Sequence, residues 1–274
     1  MIQALLVHFQ QDASILRFLA PGMQKEIEAL APPQHLNFAS ILSPTKWIDR
    51  VHYSWFYPFL STLPLQSQSL FFPLFSPQQR NGLETMLKRE VPLGRTSPFI
   101  TFYLAEYLRK RLQKEEVLPL DALPKASLNP LIKVKWSALM EIIDYLGLFD
   151  LACDFRQIVD KRVIKQIYKA LPPEHTAFLQ YASKQTIKWT SPKLNLQHWD
   201  GDVKKLQVLL HKRGIMRLTK GILEEHLSFR WHLIHRLDVG RAQVMMNTLK
   251  EPIDQALIPY FRAQILQIAS KVVS

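Results

Sequence analysis

The side chains best suited to chemistry in this 274-residue chain lie in its C-terminal half. Glu225, His226, His232 and His235 are metal-ligand types, and the three-residue spacing of His232 and His235 would let one helix face turn both imidazoles toward one ion. No further ligand joins them in regular spacing, so two partly exposed histidines beside Arg236 is the simpler reading. Asp200-Gly201-Asp202 could hold a divalent cation, but a turn and an N-cap ahead of a helix at Val203 account for it with less. Cys153, the single cysteine, follows Leu151-Ala152 in an apolar stretch and reads as a small buried hydrophobe.

Motifs that would compel an enzymatic reading do not occur. Phosphate-binding loops need closely spaced glycines so that backbone N–H groups can approach the anion, and neither G-x-x-x-x-G-K-[ST] nor G-x-G-x-x-G occurs. Neither a G-x-S-x-G elbow nor an H-E-x-x-H helix is found. The expectation is a non-enzymatic protein with no catalytic residue and no cofactor or metal.

Two segments carry partner-binding candidates instead. Val51–Gln79 contains no Lys, Arg, Asp or Glu and is dense in aromatic residues. Interface cores share that composition, and so does an ordinary protein core. Trp55, Phe56, Phe59, Phe71 and Phe72 are its candidate contacts. Lys204-Lys205, Lys212-Arg213, Arg217 and Lys220 form a basic band interleaved with leucines. Lys204, Lys205, Arg213 and Arg217 are the candidates there for an acidic protein face or for phosphate; a solvated helix face is the alternative.

The elements that must position these residues read as helices. Strand-like alternation is scarce, whereas Ser43-Pro44, Ser76-Pro77, Ser97-Pro98 and Ser191-Pro192 each pair an N-cap serine with a proline suited to a first helical turn. Apolar residues follow three of these at helical spacing: Trp47, Ile48, Val51 and Trp55; Leu83, Met86 and Leu87; Ile100, Tyr103, Leu104, Tyr107 and Leu108. Further on, a helix from Trp136 is expected to stop at Gly147, and one from Val203 at Gly214. Short helices should follow the first stop at 149–157, 160–170 and 174–183; helices at 216–225, 229–237 and 240–249 should follow the second, and a last helix should run from Ile253 to Val272 with Pro259 near its start. The fold class is all-α, an irregular armadillo-like array of two or three subdomains. The boundaries expected are an N-terminal helical domain 1–112, a linker 113–130, a middle subdomain 131–190 and a C-terminal helical domain 191–274.

Composition narrows the setting. There are 35 Lys and Arg against 23 Asp and Glu, a formal net charge of +12. The excess grows along the chain, which favours an anionic partner such as an acidic protein or nucleic acid. A lone cysteine excludes a disulfide framework and suggests a reducing, cytoplasmic compartment. The apolar start Met1–Phe9 lacks a basic flank and reads as no signal peptide, and no apolar run is long enough for a membrane span.

Several phrases resemble known families. Leu65-Gln66-Ser67, leading through Leu74 to Ser76-Pro77-Gln78-Gln79, resembles the middle domain of the flagellar switch protein FliG, although Leu63-Pro64 stands where that family has Glu-His. Trp199-Asp200-Gly201-Asp202 with Leu206-Gln207-Val208-Leu209-Leu210-His211 is similar to the opening of the FliG C-terminal helical domain. Leu218-Thr219-Lys220-Gly221 and the pair Arg241 and Met245 resemble later parts of that domain. The likeness covers 45–110 and 195–250. Leu123-Pro124-Lys125-Ala126-Ser127-Leu128-Asn129-Pro130-Leu131, Leu146–Leu151 and Ile158–Arg162 resemble chlamydial-type proteins of type III secretion. Those resemblances imply a cytosolic adaptor of the SctK/YscK type that links a membrane ring to a cytoplasmic sorting platform. A basic helical nucleic-acid-binding protein is the alternative.

Overall fold

The computed structural model describes residues 45–113, 117–156, 158, 160–185, 194, 196 and 199–273. Ser43-Pro44, Ser191-Pro192 and the segment Met1–Phe9 lie outside them. The described residues form eleven α-helices with short 3₁₀ turns and no strand, so the fold is all-α. No helix among them is long and apolar enough to cross a membrane. The chain divides into two compact units between Pro124 and Lys125, within the 113–130 segment expected as a linker.

The first unit holds α1 (Tyr57–Leu60), α2 (Leu65–Phe71), α3 (Pro77–Leu87) and α4 (Pro98–Leu112). Ser76 opens α3 with a reciprocal capping box: its hydroxyl accepts from the Gln79 N–H, and Gln79 Oε1 accepts from the Ser76 N–H at 3.0 Å. Ser97 caps α4 in the same position, and Arg109-Lys110-Arg111 fill its last turn, where cations suit the helix dipole. Ahead of α1 the helical spacing from Trp47 to Trp55 does not produce one helix. Two 3₁₀ turns, Ile48–Arg50 and Tyr53–Trp55, stand there instead. The buried Gln79 amide explains the break, because it donates to the carbonyls of both Ile48 and Val51 at 2.8 Å. The 3₁₀ turn thereby exchanges helical continuation for a bond from α3.

The second unit is built around α5 (Trp136–Phe155) and α8 (Val203–Gly221). Ten successive residues of α5, Tyr145–Asp154, are buried, as a helix surrounded on all sides requires. Helices α7 (Pro173–Ser183) and α11 (Ile258–Val273) pack on α5, and α10 (Val239–Thr248) and α11 pack on α8. The unit also holds α6 (Lys161–Ala170), and α9 (Leu227–Arg236) bridges α10 and the 3₁₀ turn Asn129–Ile132. Helices from the expected 131–190 and 191–274 subdomains therefore lie in one packed body.

Neither Gly147 nor Gly214 stops a helix; both sit inside long ones. A methyl group at Gly147 would lie 2.1 Å from the Leu210 carbonyl oxygen, so the residue is needed where α5 touches α8. The expected short helices at 149–157 and 216–225 are thus the second halves of α5 and of α8 with its following turn.

Candidate functional site

A groove of about 670 Å³ opens where α5, α7, α8 and α10 converge in the second unit. Its floor is apolar, formed by Leu148 of α5, Leu171 ahead of α7, Leu210 and Ile215 of α8, and Val244 of α10. Val208, 70% exposed, stands at its lip. Lys204 and Lys212 lie one turn to either side of Val208 on the same face of α8, so that edge reads cation, apolar, cation.

A hydrogen-bonded chain forms another part of the rim. His211 Nδ1 meets Asp144 Oδ1 at 2.6 Å, and Arg241 Nε donates to His211 Nε2 at 2.8 Å. Guanidinium nitrogens only donate, so Nε2 is the accepting nitrogen and the ring proton sits on Nδ1, aimed at Asp144. Asp238 completes the chain by pairing with Arg241 while capping α10 through the Arg241 N–H at 3.1 Å. Three helices are thereby tied at one edge. With both ring nitrogens engaged, His211 holds geometry and is not poised as a general base.

The residues singled out from sequence divide sharply by burial. Phe56, Phe71 and Phe72 are buried in the first unit, with Phe56 against Phe75 at 5.0 Å and Phe72 edge-on to Phe75 at 6.1 Å between centroids. Within the charge-free segment, Phe56, Phe71, Phe72, Leu74 and Phe75 form a core, while Leu65 and Leu70 stay exposed. Phe56, Phe71 and Phe72 are therefore not surface contacts. Phe59 is half-buried and carries the Arg111 guanidinium over its ring at 4.5 Å, while Trp55 is half-buried ahead of α1.

In the basic band, Lys204 is exposed, one turn before Val208. Lys205, also exposed, pairs with Asp200 at 2.7 Å and Asp202 at 3.7 Å. Arg213 is half-buried away from the groove face. Arg217 is 1% exposed and pairs with Asp150, itself 2% exposed, so it belongs to the interior and not to a basic face. A third group joins this pair: Arg217 donates to Gln264 Oε1 of α11 at 2.6 Å. Lys220 is buried too, and burial lowers its ammonium below the usual lysine range.

The candidate ligands do not assemble. His235 is buried, stacks on Trp231 at 4.0 Å and bonds the Trp231 carbonyl, which corrects the expectation of partial exposure. His226 caps α9 and Glu225 pairs with Arg262. No metal-holding group of His, Cys, Asp or Glu occurs among the described residues. Asp202 caps α8 and Asp200 takes the Asp202 N–H, the turn and cap expected from sequence. Cys153 is a buried thiol raised by desolvation, poorly disposed to act as a nucleophile.

Sequence reading passed over the rim of the groove. Its members Asp144, His211 and Arg241 come from three distant segments, and only Asp238 carries a local signal, as a helix cap. Compared with known families, curated proteins and solved structures, the chain matches none.

Proposed function

We propose that this protein is a non-enzymatic helical adaptor whose second unit docks an acidic amphipathic helix of another protein. The observation that carries this reading is the groove among α5, α7, α8 and α10, an apolar trough of about 670 Å³ lined by Val208 and Lys212, with Lys204 one turn further along α8. Helix-in-groove recognition needs such a trough, filled by apolar side chains at helical spacing. The two carboxylates of the rim, Asp144 and Asp238, are already engaged by His211 and Arg241. Lys212 is then the one charged lining side chain that stands outside that hydrogen-bonded chain. Residues 125–274 carry 23 Lys and Arg against 13 Asp and Glu, so the surrounding field has the same sign.

The apparatus in which such an adaptor works is proposed from the resemblance to type III secretion and flagellar switch proteins. There it would sit in the cytoplasm and join a membrane ring to a sorting platform. The test is affinity purification of tagged wild type and of Val208→Glu from the native host, at two salt concentrations, with and without nuclease. The expected result is recovery of a ring or switch component that survives nuclease and is lost with Val208→Glu. Recovery of nucleic acid alone, falling away at higher salt, would overturn the adaptor reading in favour of a nucleic-acid binder.

A further inference from the structure

The first half of α4 is apolar nearly all the way round, and much of it faces solvent. Phe99 is 78% exposed, Tyr103 61%, Phe102 51% and Ile100 42%, and Leu93 in the preceding loop is 57% exposed. A helix with that composition ordinarily lies buried. Only the second half of α4 is well anchored: Ala105 and Leu108 are buried, and Tyr107 packs against Phe59 with centroids 5.6 Å apart. The loop before it is pinned, with the Gly94 N–H donating to Ser69 O at 2.9 Å and the Val91 N–H to Glu84 Oε1 at 3.1 Å. The aromatic end is therefore presented on a fixed support.

Charge is distributed unevenly along the sequence on either side of this patch. Residues 88–113 contain six Lys and Arg (Lys88, Arg89, Arg95, Arg109, Lys110, Arg111) and two acids, Glu90 and Glu106. The rest of residues 1–124 carries six basic against eight acidic side chains, so the positive excess of that stretch is confined to the flanks of the patch. Glu106 is engaged by Arg109 at 2.5 Å.

We propose that this end of α4, with Leu93, is a membrane-surface element whose ligand is an anionic phospholipid leaflet. Bulky apolar side chains flanked by cations are what an interfacial element needs, the former entering the acyl boundary and the latter meeting phosphate headgroups. Shape favours lipid over a docked protein helix. At about 100° per residue, Phe102, Phe99, Tyr103 and Ile100 spread over about 160° of the circumference. A docked helix covers a stripe of roughly 100°, whereas a fluid apolar phase wraps a convex tip completely. The basic last turn, Arg109–Arg111, begins about 10 Å along the helix from Phe102.

The experiment is flotation of the full chain with vesicles of phosphatidylcholine alone and of phosphatidylcholine with phosphatidylglycerol. The expected result is binding to the anionic vesicles, weakened by salt and reduced at least about tenfold in Phe99→Ser/Phe102→Ser/Tyr103→Ser. Arg95→Glu/Lys110→Glu should lose the preference for anionic vesicles. Circular dichroism and unfolding curves matching wild type show that the variants are folded, and Val208→Glu, which tests the groove, should float as wild type does. Failure of the folded wild type to float with anionic vesicles, or flotation indifferent to the aromatic substitutions, would overturn the proposal. A wild-type dimer dissociated by the same substitutions would also overturn it, assigning the face to a second copy.

Discussion

Gly147 of α5 and Gly214 of α8 meet backbone to backbone. A methyl group at Gly214 would lie 1.8 Å from the Ile143 carbonyl oxygen and 3.1 Å from the Gly147 nitrogen. No side chain separates the two longest helices of the second unit at this point, so their axes approach as closely as backbone allows. The buried ion pair and the groove are both hung on these helices, which makes the crossing the geometric reference for the unit.

Alanine at either glycine should therefore act against its own helix propensity. In an exposed helix Gly→Ala stabilises by about 1 kcal/mol. At Gly147 or Gly214 the obstructing atoms are backbone, which cannot rotate away, and the helices must separate. Urea unfolding should register a loss of about 2–4 kcal/mol for each substitution. A stabilised Gly214→Ala protein would mean that the crossing is looser than described.

Arg217 and Asp150 make the next case. Asp150 Oδ1 accepts from Arg217 Nε at 3.1 Å, and the guanidinium also lies over Phe149 and Phe261, with its carbon 5.5 and 5.3 Å from their centroids. Removing one member strands a buried charge, so Arg217→Met should cost about 3–5 kcal/mol. Arg217→Met/Asp150→Leu should recover most of that loss in the same unfolding measurement. Equal costs for the single and double variants would show that aromatic packing of the guanidinium, not pairing, is what matters.

Gln79 tests the first unit. Its amide serves the carbonyls of Ile48 and Val51, and Gln79→Leu would leave both without their bond from α3. The expected cost is about 2–3 kcal/mol in thermal or urea unfolding. Gln78→Leu, at the exposed neighbouring position, should stay within about 0.5 kcal/mol of wild type.

His235 gives the stability a pH dependence. Burial pushes its imidazole down to about 4, with the bond to the Trp231 carbonyl opposing that shift. The unfolded chain takes up the proton near the ordinary histidine value of about 6.5, while the folded one resists until about 4. The stabilisation is complete above pH 6.5 and is lost as pH falls toward 4, by about 3 kcal/mol in all. Urea unfolding from pH 8 to pH 4 should show this decline, and His235→Phe should flatten it across that window. An unchanged slope in the variant would assign the decline to other groups.

Local features were legible in the residues alone. All-α class follows from helical spacing and from serine–proline punctuation, and Ser76, Ser97 and Asp202 do cap helices because a cap needs only its next three residues. The absence of charge and the aromatic density of 51–79 fit a core and an interface equally. Only packing assigned Phe56 and Phe72 to the interior.

Long-range relationships were not legible in the same way. Glycine after an apolar helical run is equally a C-cap and a point of close approach, and the choice depends on whether another backbone lies opposite. At Gly147 that backbone is Leu210 and at Gly214 it is Ile143, each more than sixty residues away in sequence. The same holds for Arg217, a member of a basic band in sequence, which turns inward because Asp150 and Gln264 wait on neighbouring helices. Local chemistry fixed the caps at Ser76, Ser97 and Asp202; distant partners, brought together by burial, decided where the long helices end, which cations face solvent and where a groove is left open.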